Sequence, residues 1–166
     1  GDGADVFATT GSTGTNLTID GGSGNDTITG AAGVEIINGG AGNDIIDGVG
    51  GGDTLNGDAG NDSLTGDDAE ADTLSGGAGN DTLDGDGGLD TMTGGDGSDI
   101  FTIGANVDTE ATDLLTITDF TAGAGGDIIR IDVSNAGGTV VANLTASIVA
   151  VANSLTNSII VDSAGT

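Results

Sequence analysis

The stretch GGSGNDTIT at residues 21–29 recurs along the chain with few changes. It returns as GGAGNDIID at 39–47, GGAGNDTLD at 76–84 and GGDGSDIFT at 94–102. Each copy holds three glycines, one acidic residue at its sixth place and one apolar residue at its eighth. A short unit repeated at a fixed period indicates a repeat architecture, in which every unit depends on its neighbours for a core.

The period is nine residues, except for one step of ten between Leu64 and Leu74. The apolar residues of the series are Ile28, Ile37, Ile46, Leu55, Leu64, Leu74, Leu83, Met92 and Phe101. An acidic residue precedes each of them by two positions: Asp26, Glu35, Asp44, Asp53, Asp62, Asp72, Asp81, Asp90 and Asp99. Nine does not fit a helical period, and glycine inside a helix costs up to ~1 kcal/mol relative to alanine.

Each unit therefore predicts a turn followed by a very short strand, such as TIT at 27–29 or TLD at 82–84. The apolar centre of the triplet points inward and its two flanks point to water, because side chains alternate along a strand. With two units per coil, residues eighteen apart stack in neighbouring coils, roughly 4.7 to 4.9 Å from each other. The predicted fold is all-β, a parallel β-roll (β-solenoid).

The composition limits what such a roll can bind. One basic residue stands against 27 acidic ones, a formal net charge of -26, which argues against nucleic acid and membrane insertion and favours cations as partners. The chain has no cysteine and no histidine, so thiolate and imidazole metal sites and the commonest general base are absent. We therefore predict no catalytic residues, no organic cofactor and no enzymatic activity in this segment.

Stacked coils place the acidic residues in a file. Two bare carboxylates about 5 Å apart repel by roughly 3 kcal/mol at an effective dielectric constant near 20. Burial of one Ile or Leu contributes only about 1.5 to 3 kcal/mol before chain entropy is subtracted. A hard divalent cation between the carboxylates turns repulsion into attraction, and oxygen ligands select calcium over zinc or copper. We expect calcium binding and folding to be one event.

The four perfect nonapeptides resemble the G-G-x-G-x-D-x-U-x unit of RTX proteins, a calcium-binding β-helix repeat. The resemblance covers residues 21–102, with a partial unit, GDGADVFA, at 1–8. It implies that each six-residue turn and the turn two units later enclose a calcium ion. The implied ligands are the aspartate carboxylates and main-chain carbonyls of the glycine-rich positions.

Alternate turns fall on opposite edges of the roll. The first edge comprises turns 21–26, 39–44, 57–62, 76–81 and 94–99, which all lie close to the motif. The second edge comprises turns 30–35, 48–53, 66–72 and 85–90. Here Glu35 replaces aspartate, Ala31 and Val49 stand where glycine is expected, and turn 66–72 has an extra residue. We expect four calcium sites on the first edge and at most two or three weaker ones on the second.

The predicted metal-binding residues follow from this division. On the first edge they are Gly21, Gly22, Gly24, Asp26, Gly39, Gly40, Gly42, Asp44, Gly57, Gly60, Asp62, Gly76, Gly77, Gly79, Asp81, Gly94, Gly95, Gly97 and Asp99. On the second edge they are Asp53, Asp72 and Asp90.

The predicted organisation has four parts. A partial, degenerate repeat and loop occupies 1–20, the calcium-binding β-roll 21–102, a β-strand capping segment 103–134, and a tail or the start of a next module 135–166. The capping segment contains DFTAGAGGDIIRI at 119–131, which resembles the segment that follows many RTX arrays. Asp119 and Asp127 are either ligands of a further calcium ion or ordinary turn residues.

The resemblance also implies a function. It implies a calcium-binding structural module of a secreted, extracellular bacterial protein, which folds on calcium after type I secretion. The lysine-free and cysteine-free composition is similar to that of surface-layer (S-layer) proteins and large adhesins, in which calcium would also join identical subunits. One alternative is the C-terminal RTX module of a secreted protease, lipase or toxin. Another is a carbohydrate or ice binder built on the threonine-bearing sheet faces.

Overall fold

A computed structural model describes residues 1–9, 16–68, 70–103, 115–121, 123, 125–132 and 159–162. These residues form strands and turns, and no helix occurs among them. In this part of the chain, accordingly, no helix has the length and apolar character needed to cross a membrane.

The strands alternate between two parallel sheets. They are β1 Val6–Ala8, β2 Leu17–Ser23, β3 Thr27–Ala31, β4 Glu35–Ala41, β5 Ile45–Val49, β6 Thr54–Ala59, β7 Ser63–Asp68, β8 Thr73–Ala78, β9 Thr82–Asp86, β10 Thr91–Asp96, β11 Ile100–Ile103, β12 Thr116–Ile117, β13 Ile128–Asp132 and β14 Ile159–Asp162. One sheet has the order β1-β3-β5-β7-β9-β11-β13-β14, and the other β12-β10-β8-β6-β4-β2. The predicted two-unit coil of a parallel β-solenoid is confirmed.

The core is a single file of apolar side chains between the sheets. Ile28 lies beside Ile46 in the ladder, and Leu55 lies beside Leu74 across the ten-residue step. All nine residues of the predicted apolar series are at most 1% exposed. The extra residue is absorbed as a register shift in the β7–β9 ladder between Thr65 and Asp68, so the core stays in phase.

The strands are longer than the predicted triplets, because ladder pairing continues into the glycines. Gly22 pairs with Gly40, and Gly95 with Gly77. At the fourth position the chain turns through a left-handed conformation, with φ of 120° at Gly24 and 140° at Gly42. Glycine adopts such angles without a steric penalty, which explains its fixed places.

Strand pairing extends on both sides of the perfect repeats. β1 pairs with β3, β12 with β10, and β13 with β11. β12 and β13 thus add one strand to each sheet, and Phe120 packs on the core with its ring centroid 6.3 Å from that of Phe101. The four-part division of the chain stays a prediction, and most of the 135–166 tail lies outside the described residues.

Candidate metal centres

Five buried aspartates form a ladder along the first edge: Asp26, Asp44, Asp62, Asp81 and Asp99, none more than 3% exposed. The Oδ1 atom of each accepts a hydrogen bond from the backbone N–H of the acidic residue one coil earlier. The Asp26 N–H donates to Asp44 Oδ1 at 2.8 Å, and the Asp81 N–H to Asp99 Oδ1 at 2.9 Å. One carboxylate oxygen is therefore used to join successive coils.

The second oxygen, Oδ2, is buried in all five and has no hydrogen-bond partner among the described residues. It points into the space beside the first glycine of its own turn. A Cβ placed on Gly21 would lie 2.5 Å from Asp26 Oδ2 and 2.6 Å from the Gly39 carbonyl oxygen of the next coil. We call such a space, bounded by a carboxylate oxygen and a carbonyl oxygen from the following coil, a cradle.

The first edge holds four such cradles. The next-coil carbonyl oxygen lies 3.0 Å from the Cβ position of Gly39, 2.6 Å from that of Gly57 and 2.7 Å from that of Gly76. At Gly94 the three nearest atoms all belong to Asp99, so no next-coil carbonyl comes closer than 3.0 Å.

The cradles suit a cation. Burial raises the pKa of Asp62 to about 6; the hydrogen bond from the Asp44 N–H opposes this effect, and the charges of Asp81 and Asp44 add to it. Burial likewise raises the pKa of Asp44, Asp81 and Asp99. A buried carboxylate oxygen without a donor is costly as an anion. A bound cation removes this cost.

The carboxylate file begins one coil before the perfect repeats, since the Asp5 N–H donates to Asp26 Oδ1 at 2.7 Å. Among the described residues no three acidic side chains surround one point, so a bound ion would need backbone carbonyls as well.

On the second edge the carboxylate Oδ1 atoms accept the same backbone hydrogen bonds between coils, and we call this pattern on either edge the inner ladder. The Glu35 N–H donates to Asp53 Oδ1 at 2.8 Å, and the Asp72 N–H to Asp90 Oδ1 at 2.9 Å. The carbonyl distances vary more on this edge: the Gly48 oxygen lies 2.5 Å from the Cβ position of Gly30, the Gly85 oxygen 3.0 Å from that of Gly66, and the Gly66 oxygen 3.3 Å from that of Gly48.

The turn at 30–35 departs most from the others. Glu35 is fully buried, and its Oε2 atom accepts a hydrogen bond from the Ala31 N–H of its own turn at 3.2 Å. The same oxygen lies 3.3 Å from the Cβ position of Gly30. The extra methylene thus lets this carboxylate turn away from the place that the aspartates occupy.

A family model for the RTX calcium-binding nonapeptide repeat, described as four copies, matches residues 10–46, 47–70 and 68–101, more than half of the chain. The chain belongs to the RTX calcium-binding nonapeptide repeat family. Calcium is the ligand of these repeats, and the roll is a structural calcium-binding domain. RTX repeats occur in secreted bacterial proteins. No curated protein and no solved structure matches the chain.

The RTX turns of the two edges differ on their outer surface. On the first edge Asn25, Asn43, Asn61 and Asn80 form an exposed ladder, in which each Oδ1 accepts the next coil's N–H, from 2.7 to 2.9 Å, the last donor being Ser98. The same positions of the second edge hold Val34, Gly52, Ala71 and Leu89. An outer row of side-chain hydrogen bonds thus accompanies the RTX motif on the first edge.

The two aspartates that follow the repeat, Asp119 and Asp127, accept hydrogen bonds from backbone N–H groups. Asp127 is buried and accepts the Asp99 N–H on Oδ1 at 2.9 Å, like a sixth member of the file. Its Oδ2 accepts the Thr121 N–H at 2.7 Å. Asp119 accepts the N–H groups of Gly94 and Gly95 at 2.9 and 2.7 Å. Both carboxylates that the sequence left open between ligand and turn residue act here as hydrogen-bond acceptors of the turns.

The structure brings the predicted first-edge residues together turn by turn, and it aligns Asp53, Asp72 and Asp90 on the opposite edge. Their roles as ligands stay predictions. Sequence reasoning missed the first glycines of the second-edge turns, Gly48 and Gly66, which border cradles there. Their fixed place as first residue of the turn was the signal that could have identified them.

Proposed function

We propose that this chain is a structural module of an extracellular bacterial surface protein, of the S-layer type, that folds when it binds calcium after type I secretion. The observation that carries the proposal is the row of five buried first-edge Oδ2 atoms without hydrogen-bond partners among the described residues, four of which lie beside a carbonyl oxygen of the next coil. Calcium binds hard oxygen donors and accepts a flexible coordination geometry.

The proposed ligands on the first edge are Asp26, Asp44, Asp62 and Asp81 with the carbonyls of the glycine-rich turns. On the second edge, Asp53 and Asp72 bind more weakly, because turn 48–53 holds Val49 in a left-handed conformation and turn 66–72 contains an extra residue. Beside Asp90 and Asp99 no next-coil carbonyl is among the nearest atoms, and these two residues contribute through Oδ1 to the coil before them.

The coupling to secretion follows from affinity. Sites of extracellular modules bind calcium at roughly 10⁻⁴ to 10⁻³ M, far above cytosolic concentrations. Inside the cell the acidic files repel and the chain stays unfolded, which suits passage through a one-step exporter. Outside, calcium binding supplies the free energy of folding.

The S-layer assignment rests on composition and surface charge. Asp20, Asp58, Asp67 and Asp96 are exposed and stand outside the carboxylate files. In a two-dimensional lattice, calcium held between such groups would join identical subunits. Electron microscopy of the full-length protein with calcium, and after its removal, tests this assignment: an ordered lattice that dissolves in chelator is expected, and an assembly indifferent to calcium contradicts it.

The folding proposal is tested by circular dichroism during calcium titration, with magnesium as the control ion. We expect a cooperative gain of β signal with calcium and a much weaker one with magnesium. Asp20→Ser is the matched variant, because it removes one exposed charge outside the carboxylate files and Ser75 occupies the same ladder row; its calcium midpoint should stay near that of the parent. A chain that is fully folded in excess chelator contradicts the proposal.

A further inference from the structure

Two Asn-Gly dipeptides lie immediately before the cradles of the first edge. Asn38 precedes Gly39 and Asn56 precedes Gly57, and every other asparagine of the chain is followed by Asp, Leu, Val, Ala or Ser. Glycine after asparagine offers no side chain to hinder attack of its backbone nitrogen on the asparagine side chain. These two bonds are therefore the chain's most reactive sites for asparagine cyclisation.

We propose that Asn38 and Asn56 are sites of spontaneous deamidation that calcium-driven folding suppresses. In the reaction the Gly39 amide nitrogen attacks the side-chain carbonyl carbon of Asn38 and forms a new C–N bond. The side-chain nitrogen leaves as ammonia and takes up the amide proton, and a cyclic imide remains. Water then opens the ring at either carbonyl, so the product is aspartate or isoaspartate.

The folded roll opposes this reaction in two ways. Asn38 lies within β4 and Asn56 within β6, and the extended backbone holds the following nitrogen away from the side chain. The two side chains are also joined, since Asn56 Nδ2 donates to Asn38 Oδ1 at 2.8 Å. Both residues are only half-buried, so the protection comes from fixed geometry and not from exclusion of water.

The reaction would damage the calcium sites next to it. Isoaspartate adds one methylene to the main chain directly before Gly39 or Gly57, the residues that border two neighbouring cradles. At position 38 the aspartate product places a new charge directly beside Asp20 of the adjacent strand. Like charges at paired positions on adjacent strands are destabilising. A chain that remains unfolded without calcium for a prolonged time therefore loses the ability to fold.

The equivalent position in later coils shows that asparagine is not required by the fold. Ser75 is the ladder partner of Asn56, and Thr93 is the partner of Ser75. Both stand directly before the first glycine of a first-edge turn. The double variant Asn38→Ser/Asn56→Ser should accordingly fold with calcium as the parent does.

The test incubates the full chain in chelator or in calcium, then digests it and measures the conversion of amide to acid by mass spectrometry. In chelator we expect conversion at Asn38 and Asn56 well ahead of Asn43 and Asn61, which are exposed and followed by aspartate. In calcium the rate at the first pair should fall at least several-fold. Isomerisation at Asp-Gly bonds leaves the mass unchanged and does not interfere.

A second arm measures calcium-binding capacity after the incubation in chelator. The parent should lose capacity in step with conversion, and the double serine variant should keep it. Equal conversion rates with and without calcium, or conversion spread evenly over all asparagines, would overturn the inference, and so would capacity lost equally by both proteins. Should the double variant not fold, the rate comparison in the parent still decides.

The protection rests on the proposed calcium-driven folding, so circular dichroism is recorded on the fresh protein. If calcium causes no folding, the proposed function fails. If calcium folds the chain but the rates at Asn38 and Asn56 do not change, only this inference fails.

Discussion

The two edges of the roll share an inner ladder and differ in almost everything around it. Both stack carboxylates whose Oδ1 atoms accept backbone N–H groups of the preceding coil. Only the first edge adds an outer asparagine ladder and glycine at nearly every left-handed position. The comparison separates two roles of the acidic residue: one oxygen holds the coils in register, and the other points into the cradle. The second edge keeps the Oδ1 hydrogen bonds between coils, whereas the turn residues around its Oδ2 atoms depart from the motif.

The most direct test of the difference between the edges is to neutralise one carboxylate on each edge. Asp62→Asn should raise the calcium concentration at the folding midpoint about tenfold or more, equivalent to ~1.4 kcal/mol or above, because the cation loses a charged ligand. Asp72→Asn should raise it less. In chelator Asp62→Asn should instead stabilise the folded state, since one repelling charge is gone. Equal shifts for both variants, measured by circular dichroism, would contradict the difference between the edges.

A methyl group can fill a cradle directly. Gly39→Ala would place its Cβ against Asp44 Oδ2 and 3.0 Å from the Gly57 carbonyl oxygen, which costs about 1 to 3 kcal/mol of overpacking and displaces the ion. Gly52→Ala is the control, because Ala71 and Leu89 occupy the same turn position on that edge. Chemical denaturation at saturating calcium should separate the two variants, and an unchanged Gly39→Ala protein would show that the space is not used.

The second edge can also be moved toward the first. Val49 adopts a φ of 78°, a left-handed conformation that a β-branched residue rarely accepts. Val49→Gly should stabilise the calcium-bound protein by up to about 1 kcal/mol, the relief of strain less the added chain entropy. Asp58 has a φ of 71° on the first edge, and Asp58→Gly should gain less, since aspartate tolerates this region. A loss of stability in Val49→Gly measured by thermal unfolding would refute the strain.

Acidity should affect the calcium-free chain in the opposite direction from most proteins. The pKa of Asp62 is raised to about 6 in the fold, so the folded state binds more protons than the unfolded state between that pKa and the ordinary aspartate pKa of about 3.9. Stability without calcium therefore increases as the pH falls from 7 toward 5. With calcium present the same protons compete with the ion and weaken binding. The check is circular dichroism in chelator at both pH values; less β signal at pH 5 contradicts the sign.

Much of the roll could be predicted from the nine-residue period, because a repeat fixes register, core and edge together. The nine apolar residues and the stacking of Asp26 on Asp44 follow from counting alone. Two features did not follow. The strands extend into the glycines, since ladder pairing depends on the next coil, and the buried Asp127 receives one backbone donor from Asp99 in the last motif turn and another from Thr121, which lies outside the motif. Contacts between non-repeating segments are set by tertiary packing, which no period encodes.

The central claim is that calcium lies between the coils of the first edge, and anomalous diffraction from a crystal grown in calcium tests it most directly. The account predicts a file of four peaks, each between an Oδ2 atom of Asp26, Asp44, Asp62 or Asp81 and the first carbonyl oxygen of the following first-edge turn. Weaker peaks should appear beside Asp53 and Asp72. An ordered roll with no anomalous density in the four first-edge cradles would contradict the account.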